Sequence, residues 1–124
     1  MSQPAQRRLT LEFYPSIRSP YSYVSMPETL DLPHHYPIDL VVRPVLPMVM
    51  RNLPVPSIKG RYIARDTKRE ADRIGVPFGH IFDPVGEPVR RCYSLFAMAD
   101  AEGKGGDLLL AFCQMAWAEG IDVG

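Results

Sequence analysis

Ser19-Pro20 stands after an alternating apolar segment, Leu9-Thr10-Leu11-Glu12-Phe13, and directly before a helical pattern. Serine is favoured as a helix N-cap and proline at the first helical position. The unpaired backbone N–H groups of such a first turn, with the helix dipole, favour an anion. A hydroxyl at the cap can donate to that anion, and hydrogen bonds to charged acceptors are stronger than neutral ones. Ser19 therefore either caps the helix and nothing more, or also steadies an anionic ligand atom. Ser22, one turn on, reads as structural. Tyr21 and Tyr23 read as core or pocket aromatics, and Arg18 as a solvated loop residue or an attractor of acidic ligands.

A second constellation is Lys59, Tyr62, Asp66, Arg69 and Arg73, spaced by threes and fours so that they form one polar helix stripe opposite Ile63, Ala71 and Ile74. Such a stripe is ordinarily a solvated face. Lys59 falls in the first turn, where a cation opposes the helix dipole, a placement that makes sense if it serves a ligand carboxylate. Asn52, in the preceding loop, either bonds a peptide-like ligand or supports a turn. His34, His35 and His80 have no partners at metal-ligand spacing, and no phosphate loop, dinucleotide fingerprint or nucleophile elbow is present.

The elements that position these residues follow from periodicity. Arg8 to Tyr14 reads as a strand and Ser19 to Met26 as a helix that Pro27 kinks or ends, with a loop from Asp31 to Pro37. Ile38 to Pro44 reads as a second strand, its Leu40-Val41-Val42 run suggesting burial on both faces of a parallel sheet. The pattern is a βαβ unit. After Pro44 a proline-punctuated loop leads to three helices, near Ser57–Ile74, Glu87–Ala101 and Gly106–Glu119. Val89, Cys92, Phe96 and Ala99 share one apolar face; Leu108, Phe112 and Met115 share another, widened by Leu109, Ala116 and Trp117. Two strands make a poor sheet with unpaired edges, so further strands are expected from a partner or from a longer chain, and the second is favoured.

Composition bounds the rest. The 124 residues are 46% apolar, enough for one modest core. Fourteen basic side chains balance fourteen acidic ones, so no net field draws the chain to nucleic acid or anionic lipid. The polar stretch Met1 to Arg8 lacks a secretory signal, and no apolar run is long enough to span a bilayer. A cytoplasmic location is expected. Cys92 and Cys113, each in an apolar helical context, read as buried free thiols, with a disulfide between them the alternative, although nothing signals an oxidising compartment.

The ordered series Phe13-Tyr14, Ser19-Pro20-Tyr21-Ser22-Tyr23, Arg43-Pro44, Lys59-x-x-Tyr62-x-x-x-Asp66-x-x-Arg69, Gly75-Val76-Pro77 and Ala116-Trp117-Ala118-Glu119-Gly120-Ile121-Asp122 resembles the 2-hydroxychromene-2-carboxylate isomerases and kappa-class glutathione transferases. Redox proteins of the same thioredoxin-like fold carry Cys-x-x-Cys where this chain has Ser19-Pro20-Tyr21-Ser22. The resemblance implies an α/β, thioredoxin-like βαβ portion over 1–46, an α-helical insertion over 47–124, and a sheet left incomplete because the C-terminal half of the domain is absent. It implies glutathione as cofactor, with Ser19 activating the thiol and Asn52, Lys59, Pro20 and Tyr21 lining the site. It further implies an aromatic small-molecule substrate, a homodimer, and isomerisation by reversible thiolate addition to a conjugated substrate. A kappa-type transferase, a thiol–disulfide oxidoreductase and a truncated, non-catalytic binding module are the alternatives. Ser16 stands where many relatives have an acidic residue, and Pro15 stiffens the same turn.

Overall fold

The computed structural model describes residues 7–124; the polar stretch Met1–Gln6 lies outside them. Strand β1 (Leu9–Phe13) leads through a turn into helix α1 (Pro20–His35), which returns to strand β2 (Ile38–Val42). The strands pair in parallel, Leu9 opposite Ile38 through Phe13 opposite Val42. Beyond their formal ends, Arg43 N–H donates to Phe13 O and Val45 N–H to Pro15 O, so the ladder runs to the turn before α1. A 3-10 turn (Met48–Arg51) and helices α2 (Ser57–Ile74), α3 (Glu87–Ala101) and α4 (Gly105–Trp117) follow.

Helix α1 departs from the sequence reading. It continues through Pro27 and Pro33 to His35, where an end near Pro27 and a loop from Asp31 were expected. Two side chains near the first proline bond back to the helix, Ser25 Oγ donating to Ser22 O at 3.1 Å and Thr29 Oγ1 to Ser25 O at 2.8 Å, contacts that favour a bend. Tyr23, Val24 and Met26 are buried just before the first proline, and Leu30 packs on the core beyond it. Burial on both sides of Pro27 outweighs its local penalty.

The core lies among the helices. Helix α4 packs against α1 and α3, and α2 packs on α1. Leu109, Cys113 and Ala116 are fully buried and form the centre of the α4 face, while Leu108, Phe112 and Met115 flank it half-buried. The sheet is peripheral. Leu9 and Leu11 are exposed, and Leu40, Val41 and Val42 are only half-buried, not covered on both faces as expected. Helix α1 covers one side of β2, and none of the described elements covers the other. Among the described residues no helix is long and apolar enough to cross a membrane.

Candidate functional site

The turn Pro15–Arg18, between the carboxyl end of β1 and the start of α1, is fixed from several directions. Pro15 and Ile17 are buried. Ile17 O accepts from Trp117 Nε1 at 2.8 Å, and Ile17 N–H donates to the Tyr93 hydroxyl at 3.3 Å. That hydroxyl in turn donates to Val45 O at 2.6 Å. Ser22 Oγ accepts from Ser16 N–H at 3.1 Å, which gives Ser22 the structural role its sequence position suggested. Outside, Arg18 makes a two-pronged ion pair with Asp83, both contacts 2.9 Å.

Ser19 ends this turn as the N-cap of α1, its Oγ accepting from Ser22 N–H at 3.3 Å. The contact is long, so the cap bond is weak, and the hydroxyl hydrogen remains available to a ligand. Pro20 has no N–H and Ser22 N–H is taken, so Tyr21 carries the first-turn N–H without a partner among the described residues. The Tyr21 hydroxyl donates to Asp66 at 2.5 Å, linking α1 to α2. That bond pushes the phenol pKa up to about 12, and it stays protonated.

Ser19, Pro20 and Tyr21 line a cleft of about 550 Å³ between the start of α1, the 46–56 loop and α2. Ser16, Arg18 and Ser22 continue its polar wall, and Leu46, Met48, Val49 and Val55 form an apolar one. Phe78 and Trp117, stacked with centroids 6.1 Å apart, also face it. Ser16 Oγ is buried there without a hydrogen-bond partner among the described residues. Asn52 and Lys59 are placed differently. Asn52 closes the 3-10 turn in a left-handed conformation (φ 60°), its N–H donating toward Met48 O and Val49 O, and its exposed side chain is not part of the cleft lining. Lys59 is exposed in the first turn of α2 and is not among the residues that line the cleft.

Sequence reasoning missed Asp83, Tyr93 and the Phe78–Trp117 stack as parts of the site. Tyr93 follows Cys92 on the apolar face of α3, where a half-buried phenol was a usable signal; Asp83 lies in a loop with none. No cluster of three metal-ligating side chains occurs among the described residues.

No family model matches the chain, and no curated protein matches it. Among solved structures, a 2-hydroxychromene-2-carboxylate isomerase, solved as its selenomethionine form, superposes with a TM-score of 0.69 over 92% of this chain. The fold is thioredoxin-like. Sequence identity to that isomerase is 22%, and the match covers 59% of its chain. The likeness is therefore one of fold: two parallel strands joined by a helix and followed by further helices, the strand-helix-strand order being the one the sequence pattern predicts.

Proposed function

We propose that this chain is part of a glutathione-dependent isomerase acting on aromatic-degradation intermediates that resemble 2-hydroxychromene-2-carboxylate. The observation that carries the reading is Ser19, a weakly engaged N-cap hydroxyl at the mouth of a cleft, on a fold shared with an isomerase of that name. Helix N-termini and cap hydroxyls stabilise anions, and a thiolate is one. The cleft suits the tripeptide in size. The free Tyr21 N–H, the Ser19 hydroxyl and the unpartnered Ser16 hydroxyl suit an anionic sulfur and polar amides. Glutathione bound there would supply the nucleophilic thiolate.

This chain's own groups hold and orient. Ser19 donates to the sulfur, the buried Pro15–Arg18 turn fixes Ser19, and the apolar wall excludes water from an aromatic substrate. Lys59, exposed in the first turn of α2, is suited by its charge to a carboxylate of the cofactor, and Asn52, in the loop before it, to its backbone amides. Cys92 and Cys113 are buried and neither lines the cleft, burial pushing the Cys92 thiol up to about 12 and the Cys113 thiol higher still. In this reading the βαβ portion runs to residue 46 and the insertion over 47–124, with the strands that complete the sheet supplied from outside these residues.

The test is the ionisation of bound glutathione, followed by far-ultraviolet thiolate absorbance against pH. A hydrogen bond to a charged group contributes about 1.5–3 kcal/mol. At about 1.4 kcal/mol per pKa unit, Ser19→Ala raises the bound thiol's pKa by about one to two units. Ser19→Thr keeps the hydroxyl and restores the wild-type curve. Identical curves for wild type and a folded Ser19→Ala variant remove Ser19 from the chemistry; no glutathione binding by calorimetry removes the cofactor.

A further inference from the structure

The lining of the cleft carries an asymmetry that the thiol chemistry does not use. Its charged members are Arg18, Arg51 and Asp83. Asp83 is its one carboxylate, and it is spent on Arg18. Arg18 Nε and Nη2 meet the two Asp83 oxygens at 2.9 Å each, the fork geometry in which arginine receives carboxylates generally. Both side chains remain accessible, 31% and 46% exposed, and an ion pair so open to water contributes little to stability.

The backbone around Asp83 is pinned. Gly79 N–H donates to Trp117 O at 3.0 Å and Phe82 N–H to Ala116 O at 2.8 Å, and Pro84 is buried. Exchange at Arg18 therefore takes only a rotation of the Asp83 side chain. Arg51 is more committed, its Nε donating to Leu46 O at 3.0 Å. Lining the same cleft as Arg18, Leu46, Met48 and Val49 are each at least 40% exposed.

We propose that Arg18 is the specificity-determining residue of this cleft: it receives the carboxylate of an apolar-bodied acid, and Asp83 is the internal stand-in that the ligand displaces. The ligand class is a monocarboxylate whose hydrocarbon or aromatic body lies on the 46–55 wall. The inference concerns the same cleft as the proposed activity but requires no glutathione.

The experiment uses Trp117, the chain's one tryptophan and a lining residue, as fluorescent reporter. Wild type is titrated with phenylacetate and with its neutral counterpart phenylacetamide, in the absence of any thiol. Phenylacetate binds tighter by about tenfold, as expected for a charge-assisted contact. Asp83→Asn tightens phenylacetate by about twofold to fivefold, the strength of an exposed pair, and leaves phenylacetamide unchanged. Arg18→Gln removes the preference; Arg18→Lys, which keeps the charge and supports the turn, retains part of it. Equal affinities in wild type, no binding of either probe, or unchanged phenylacetate affinity in Asp83→Asn overturn the proposal. So does a preference that survives Arg18→Gln but disappears in Arg51→Gln. Because no thiol is present, failure of glutathione to bind leaves this outcome unaffected.

Discussion

Replacing Tyr93 by phenylalanine deletes one oxygen atom and two hydrogen bonds while the ring stays in place. The hydroxyl donates to Val45 O at 2.6 Å and accepts from Ile17 N–H at 3.3 Å, so it bridges the end of β2 to the turn before α1. Ile17 is 1% exposed, so water cannot replace the lost acceptor. A buried donor left unsatisfied costs about 1–3 kcal/mol, and the length of this bond places it toward the lower end. Val45 is half-buried, and its carbonyl adds up to about 1 kcal/mol. The expected loss is about 2 kcal/mol. With a urea slope of about 2 kcal/mol per molar, the unfolding midpoint falls by about 1 M. Trp117 is the natural reporter, because its Nε1 donates to Ile17 O and so senses the same turn. A Tyr93→Phe midpoint within about 0.2 M of wild type would show that the hydroxyl does not clamp the turn.

Alkaline pH should weaken the fold. Burial pushes the Tyr23 and Tyr93 phenols and the Cys92 thiol up to about 12 and the Cys113 thiol higher, against 10 and 9 for exposed groups. The folded chain then keeps protons that the unfolded chain releases, so this stability is whole below about pH 9 and is lost as pH rises toward 12 and beyond; a flat urea midpoint between about pH 8 and 11 contradicts it. Two glycine substitutions should act in opposite directions. Gly60→Ala places a methyl where nothing lies within 4 Å and gains up to about 1 kcal/mol of helix propensity. Gly105→Ala brings Cβ to 2.7 Å from the Phe96 ring and Asp100 Oδ1 and costs about 1–3 kcal/mol; thermal unfolding of both variants reads the difference, and a shared direction contradicts the α3–α4 packing.

The elements were legible wherever the signal was local. Ser57–Ile74 and Glu87–Ala101 agree with the structure at both ends, because amphipathic periodicity and the flanking Pro56, Gly75 and Gly86 mark them. The far end of α1 was hidden: Pro27 and Pro33 argue locally for a break, and only burial against α4 overrides them. Ser19 was legible as a cap, with Ser22 beside it. What holds Ser19 was not, because the partners lie far along the chain. Arg18 meets Asp83 across 65 residues, Ile17 meets Tyr93 across 76, and Ile17 meets Trp117 across 100. No spacing rule spans such separations.

Those long separations also locate the rigidity of the site. The sheet contributes one bond to the turn, from Val45 N–H to Pro15 O, and β1 is largely exposed. The helical region contributes Tyr93 from α3, Trp117 and the Cys113 thiol from α4, and Asp83 from the connecting loop. The turn that aims Ser19 is thus held from both sides, by Tyr93, Trp117 and Cys113 of the helical region and, nearer in sequence, by Val45 N–H and by Ser22 Oγ, which accepts from Ser16 N–H. In this chain the helical region is a wall of the cleft and also a support for its cap residue. A disturbance of the α3–α4 seam should therefore reach Ser19 before a disturbance of β1 does, although β1 is its near neighbour in sequence.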